Sequence, residues 1–283
     1  MRYLYYFCLI SLNIISQEAV QATLLHDDLE REYILYIPNS YDGQEPFPLV
    51  LNLHGYTSNG GEQMIYSNLF EAADTANFLI VHPTGTLNTI NEEFWNSGEI
   101  FEVDDIGFLS QLIDYLVLNY NIDSNRVYST GFSNGGFMSY TLACELSDKI
   151  AAIASVTGSM TPETYSSCSP NHPTPILQIH GLRDAVVPYN GLSYIESIPK
   201  VMQYWSEYNS CDLEPEILVV DNFDDDYSVN FETYINCLNN INIKLILHSA
   251  MGHTWPMRNN YGVSASNEIW DFVSQYDIYG KIN

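Results

Sequence analysis

Basic residues are scarce in this 283-residue chain: nine Lys and Arg stand against 35 Asp and Glu, a formal charge of −26. A field of that sign repels phosphate backbones and anionic headgroups, so neither nucleic acid nor a membrane surface is expected as a partner. Long apolar runs are missing too. The run from Tyr3 to Ile15 falls short of the ~20 residues that span a bilayer, and no second one follows. Preceded by Arg2 and followed by the small-residue pattern Val20-Gln21-Ala22, it reads as a removable signal peptide over residues 1–22. Cys8 lies inside that run, which argues against lipoprotein attachment. The expected location is therefore secreted or periplasmic.

Cysteine is sparse and never spaced C-x-x-C, so a zinc site is not expected, and no other metal or organic cofactor is implied. Beyond residue 22 the cysteines are Cys144, Cys168, Cys211 and Cys237, an even number suited to two disulfides in an oxidising compartment. Three pairings are possible, of which Cys144–Cys168 with Cys211–Cys237 closes the shortest loops. The densest acidic run, Asp221 to Asp226, lacks the glycine and final glutamate of a calcium loop and reads as a solvated hairpin or loop. There is no internal repeat, low-complexity linker or composition break, so residues 23–283 read as one domain acting as a monomer.

What is present is alternation. Short branched-rich runs at Phe47–Leu53, Phe78–His82, Arg126–Thr130, Ala151–Val156, Ile176–Ile179 and Ile243–Leu247 have the character of strands buried on both faces. Between them lie helix-like stretches at Gly61–Ala76, Ile106–Asn119, Asn134–Leu146, Ile198–Tyr208 and Asn267–Tyr276. The pattern predicts an α/β fold, a mostly parallel central sheet with helices on both faces. In such a sheet the ligand site lies beyond the carboxyl ends of the strands.

Four such ends carry chemistry. Gly131-Phe132-Ser133-Asn134-Gly135 is a G-x-S-x-G sequence where a strand should turn into a helix, which makes Ser133 a candidate nucleophile. A serine needs a base, and the base needs a carboxylate to fix its tautomer. His253 and Asp184, each just past a predicted strand, complete the order Ser, Asp, His of α/β-hydrolases. Rival histidines His54 and His180 more readily pack or bond locally, and Asp105 and Asp212 are the rival acids. The backbone N–H groups of Tyr56 and Asn134 are the expected oxyanion donors. Trp95 and Trp255, with Tyr56, are candidate aromatic walls for substrate.

Taken together, His54-Gly55-Tyr56, Phe94-Trp95-Asn96, Asp104-Asp105-Ile106-Gly107-Phe108, Gly131 to Gly136, His180-Gly181…Asp184…Val187-Pro188-Tyr189 and Gly252-His253-Thr254-Trp255-Pro256 resemble the polyhydroxybutyrate depolymerase-like esterases, a family that includes secreted feruloyl esterases. The resemblance runs from about residue 30 to 275 and implies an α/β-hydrolase fold, with Ser133, Asp184 and His253 at the triad positions and the four cysteines where disulfides commonly occur. One departure is Leu182, where a small hydroxyl residue usually follows the glycine. The stretch from Val156 to Ile176 is too short for a large lid, and no polymer-binding module is apparent. The expected activity is hydrolysis of carboxylic esters through an acyl-enzyme, on feruloyl, acetyl-carbohydrate or hydroxyalkanoate esters derived from plant cell wall or polyester. A serine peptidase of the same fold and a non-catalytic binding protein are the alternatives.

Overall fold

The computed structural model describes residues 18–98, 102–222 and 227–282. Ten strands form one sheet. In chain order they are β1 (Glu18–His26), β2 (Leu29–Ile37), β3 (Phe47–Leu53), β4 (Leu79–Pro83), β5 (Ile122–Phe132), β6 (Ala152–Val156), β7 (Ile176–Gly181), β8 (Glu216–Asn222), β9 (Tyr227–Tyr234) and β10 (Ile243–His248). Their order across the sheet is β1-β2-β4-β3-β5-β6-β7-β10-β9-β8. From β4 to β10 every pairing is parallel, and antiparallel pairs close both ends.

The helices are α1 (Gly60–Ser67), α2 (Phe70–Ala76), α3 (Asp105–Asn119), α4 (Asn134–Glu145), α5 (Pro162–Ser167), α6 (Ile198–Tyr208), α7 (Arg258–Tyr261) and α8 (Ala265–Val273). Strands β3, β4, β6 and β7 are buried at every position, as strands covered on both faces must be. This is the α/β-hydrolase architecture. Only the six-residue α5 and irregular chain connect β6 to β7, so no lid domain is inserted there.

All six predicted strands are present. The helix expected over Gly61–Ala76 is two, because Asn68 takes a left-handed conformation (φ 52°) that ends α1. The half-exposed outer strands β1, β2, β8 and β9 escaped the search for apolar runs. Most of the expected signal peptide lies outside the described residues, but Glu18–Ala22 belongs to β1, paired with Ile37 to Tyr33. Val20 and Ala22, read as a cleavage pattern, are also inward-facing positions packed on the core. Cleavage after Ala22 would leave Thr23–His26 of the strand.

The acidic run joins β8 to β9, which pair as an antiparallel hairpin; residues 223–226 lie outside the described residues. At this edge Ile217, Leu218, Val219 and Val220 are all exposed. Both disulfides take the pairing that closes the shortest loops, Cys144–Cys168 tying α4 to the end of α5 and Cys211–Cys237 bracing the base of the hairpin.

Candidate active site

Ser133 stands between β5 and α4 with φ 53° and ψ −117°, a conformation costly for a residue with a Cβ. Its N–H donates to the Val156 carbonyl (2.9 Å), and its carbonyl accepts from Gly136 and Phe137 (2.8 and 3.0 Å). The flanking glycines are required by crowding: a Cβ on Gly135 would lie 2.3 Å from the Leu53 carbonyl oxygen, and one on Gly131 2.4 Å from the Gly135 carbonyl. The turn is therefore held from both sides.

Asp184, at the end of the tight turn after β7, is buried, and His253 Nδ1 donates to its Oδ2 at 2.8 Å. Asp184 Oδ1 accepts the N–H groups of Val186 (2.9 Å) and Val187 (2.8 Å). Burial alone would raise this carboxyl, but the hydrogen bonds from His253, Val187 and Val186 and the His253 charge outweigh it and hold it below its ordinary value. With Nδ1 donating, a neutral His253 ring carries its lone pair on Nε2, away from Asp184. The ring packs against Phe132, the residue before Ser133, at a centroid distance of 4.9 Å. The loops that carry Asp184 and His253 are joined by Leu182 N–H to the His248 carbonyl and Arg183 N–H to the Met251 carbonyl, both at 3.0 Å. Leu182 itself turns outward and is exposed, which accommodates the departure noted in sequence.

The rivals are occupied elsewhere. His180 donates from Nε2 to the Val187 carbonyl (2.9 Å) and accepts at Nδ1 from Gln178 (3.1 Å). His54 donates from Nδ1 to its neighbour Gly55 (2.7 Å) and accepts at Nε2 from Gly85 N–H (2.8 Å). Burial lowers both rings to about 4. Asp105 pairs with Arg31 at 2.6 Å in the interior, and Asp212 bonds the Asn236 side chain on the surface.

Tyr56 lies in the turn after β3, where Thr57 has φ 68° and donates to the Glu93 carbonyl (2.8 Å). Its ring is exposed, with the phenol hydrogen-bonded to Glu92 and Asn88. Trp95 and Trp255 do not form walls. Both are almost fully buried, at 1% and 2% exposure, where the large apolar ring is removed from water and each indole N–H keeps an interior partner. Trp95 donates to the His54 carbonyl (3.1 Å) and Trp255 to Ser266 Oγ (3.1 Å). They brace the site from behind. Sequence reasoning missed Tyr66, whose ring meets Phe132 edge-on at 5.2 Å and whose hydroxyl accepts the Trp255 N–H at 2.9 Å. Tyr66 is exposed on α1, and its place within a helical pattern gave no signal of this.

The family model described as phospholipase/carboxylesterase matches residues 41–209. A bifunctional acetylxylan esterase/xylanase of Neocallimastix patriciarum is 26% identical over 89% of this chain and 34% of its own length. Feruloyl esterase B of Piromyces equi is 27% identical over 88% of this chain and 46% of its own. The chain thus spans about half or less of these relatives. An acetyl xylan esterase from Aspergillus awamori superposes with a TM-score of 0.65 at 15% identity, over 91% of this chain and 99% of that one, a likeness of fold. The α/β sheet, the serine elbow and a family match over residues 41–209, more than half of the chain, together place the chain in the phospholipase/carboxylesterase family of α/β-hydrolases.

Proposed function

We propose that this chain is a secreted serine esterase acting on small carboxylic esters of the feruloyl or acetyl-carbohydrate type. The observation that carries the reading is the 2.8 Å His253–Asp184 hydrogen bond packed against the residue that precedes a strained Ser133. In this mechanism Ser133 Oγ attacks the ester carbonyl as His253 Nε2 takes its proton, and Asp184 stabilises the imidazolium. The tetrahedral oxygen is met by the N–H groups of Tyr56 and Asn134. Collapse expels the alcohol, which takes the proton back from His253. Water then repeats the sequence on the acyl-enzyme and releases the acid.

The names of the relatives, an acetylxylan esterase/xylanase and feruloyl esterases, support this substrate class over hydroxyalkanoate esters. Two disulfides and the absence, among the described residues, of a helix long and apolar enough to cross a membrane support an exported protein. The test offers purified protein a mixture of methyl ferulate, acetylated xylo-oligosaccharide and 3-hydroxybutyrate oligomers and follows acid release by mass spectrometry. Ferulate or acetate release that Ser133→Ala abolishes is the expected result. Release unchanged in that variant, or none from any ester, refutes the reading.

A further inference from the structure

The two oxyanion donors proposed above come from separate turns, Tyr56 from the end of β3 and Asn134 from the start of α4. One residue bridges them. The Asn134 side chain accepts the Trp95 N–H at Oδ1 (2.6 Å) and donates from Nδ2 to the Trp95 carbonyl (3.0 Å), so a single carboxamide engages both main-chain groups of Trp95. From the same residue the indole N–H reaches the carbonyl of His54, two residues before Tyr56. On the other side of Tyr56, Thr57 N–H is held by Glu93 in the same segment. The segment is anchored in turn, since Asn96 N–H donates to Asp105 (2.7 Å), which Arg31 neutralises in the interior.

We propose that the Asn134 carboxamide is a positioning group for the oxyanion hole, fixing through Trp95 the separation of the Tyr56 and Asn134 N–H groups. The inference rests on the esterase reading. Asn134 is only half-buried, so filling volume is not its main contribution. A carboxamide is suited to the place because it both donates and accepts. Aspartate would turn a second acceptor toward the Trp95 carbonyl, and alanine would leave both Trp95 main-chain groups without these partners. Either change loosens a pair of donors whose value depends on being preset where charge develops.

The experiment measures kcat, KM and the pH profile for p-nitrophenyl acetate, the affinity for a phenylboronic acid that forms a tetrahedral serine adduct, and thermal unfolding. The proteins are wild type, Asn134→Ala, Asn134→Asp and Trp95→Phe, with Ser133→Ala as blank. Because a displacement of about 1 Å can lower rate by ~100-fold, the Asn134 variants should lose about 10–100-fold in kcat with KM within about twofold. Boronate affinity should fall in step with kcat/KM, and the pH profile should keep its shape because the His253–Asp184 pair is untouched. Trp95→Phe, which keeps the main-chain pair but removes the indole bond to His54 and trims the ring packed on the His54 imidazole, should show a smaller loss of the same kind. The proposal is overturned if folded Asn134→Ala keeps kcat within about twofold of wild type, or if kcat falls with boronate affinity unchanged. If the Asn134 variants fail to fold, a Trp95→Phe enzyme with full kcat overturns it. Absence of Ser133-dependent turnover in the wild type would instead remove the esterase reading, and this inference with it.

Discussion

The two carboxylate oxygens of Asp184 are divided between His253 and the aspartate's own loop: Oδ2 accepts His253 Nδ1, while Oδ1 accepts the N–H groups of Val186 and Val187. The loop bonds set the carboxylate's orientation before it meets the ring. Asp184→Asn keeps the shape and can keep the loop bonds, but an amide nitrogen toward His253 favours the wrong tautomer. Ester hydrolysis should then fall about 10⁴-fold with the fold retained. Steady-state kinetics beside a circular dichroism spectrum checks this, and a loss below about tenfold would place the acid elsewhere.

Ser133 and His253 are proposed to act as one unit. Each alanine variant should therefore lose nearly all the triad's contribution, and Ser133→Ala/His253→Ala should be little slower than either alone. Independent, multiplying losses in the three rates would contradict the mechanism.

Three buried histidines make stability depend on pH. Burial lowers His54 and His180 to about 4 and His82 to about 3, against 6.5 for a free ring. The unfolded chain takes up protons on these rings below pH 6.5 and the folded one does not, so stability is full above 6.5 and falls as pH drops toward 4. Each ring that stays neutral contributes about 1.4 kcal/mol per pH unit. Asp184, held below its ordinary value of 3.8, adds its own loss only at still lower pH. Urea midpoints at high salt, where the acidic surface is screened, should decline through this window. Among the described residues neither ring nitrogen of His82 has a hydrogen-bond partner, so His82→Leu should flatten the decline.

Arg31 and Asp105 form an ion pair with side chains at 3% and 0% exposure. Removing one charge strands the other, so Arg31→Met should destabilise by about 3–5 kcal/mol, part of it recovered in Arg31→Met/Asp105→Leu, the remainder reflecting the lost acceptor for Asn96 N–H. Denaturant titration of the cycle measures the coupling. With Asp105→Leu alone completing the cycle, a double-variant loss equal to the sum of the two single losses would mean the pair is energetically idle.

The disulfides close loops of 24 and 26 residues. Cys144→Ala/Cys168→Ala should lower stability by about 3 kcal/mol through the entropy returned to the unfolded chain, and Cys211→Ala/Cys237→Ala by a similar amount. Denaturant unfolding of the two variants tests both values.

The central strands were legible because burial on both faces writes itself as an unbroken apolar run, as in Phe47–Leu53. The outer strands alternate: in β2 Glu30, Glu32 and Ile34 are interspersed with buried Arg31, Tyr33 and Leu35, a weak signal beside a buried run. Among the proposed site residues, those marked by glycines at strand ends stand out in the sequence, Ser133 and His253 above all. Trp95 and Trp255 could not, since residue type gives hydrophobicity and a polar tip but not which side of the wall the ring occupies. The Asn134–Trp95 bridge spans 39 residues and leaves no local pattern.

Among the described residues β8 has no outer neighbour in the sheet, and that edge bears on how this protein must be handled. Residues 217–220 offer another copy uncharged, β-prone backbone with no proline or lysine to refuse it. The acid excess of the whole chain repels another copy, a repulsion that fades as the solution approaches the isoelectric point near 4.2. Colloidal stability thus depends on pH and salt rather than on the edge's own shape, and acidification, the condition that also charges the buried histidines on unfolding, removes both protections together.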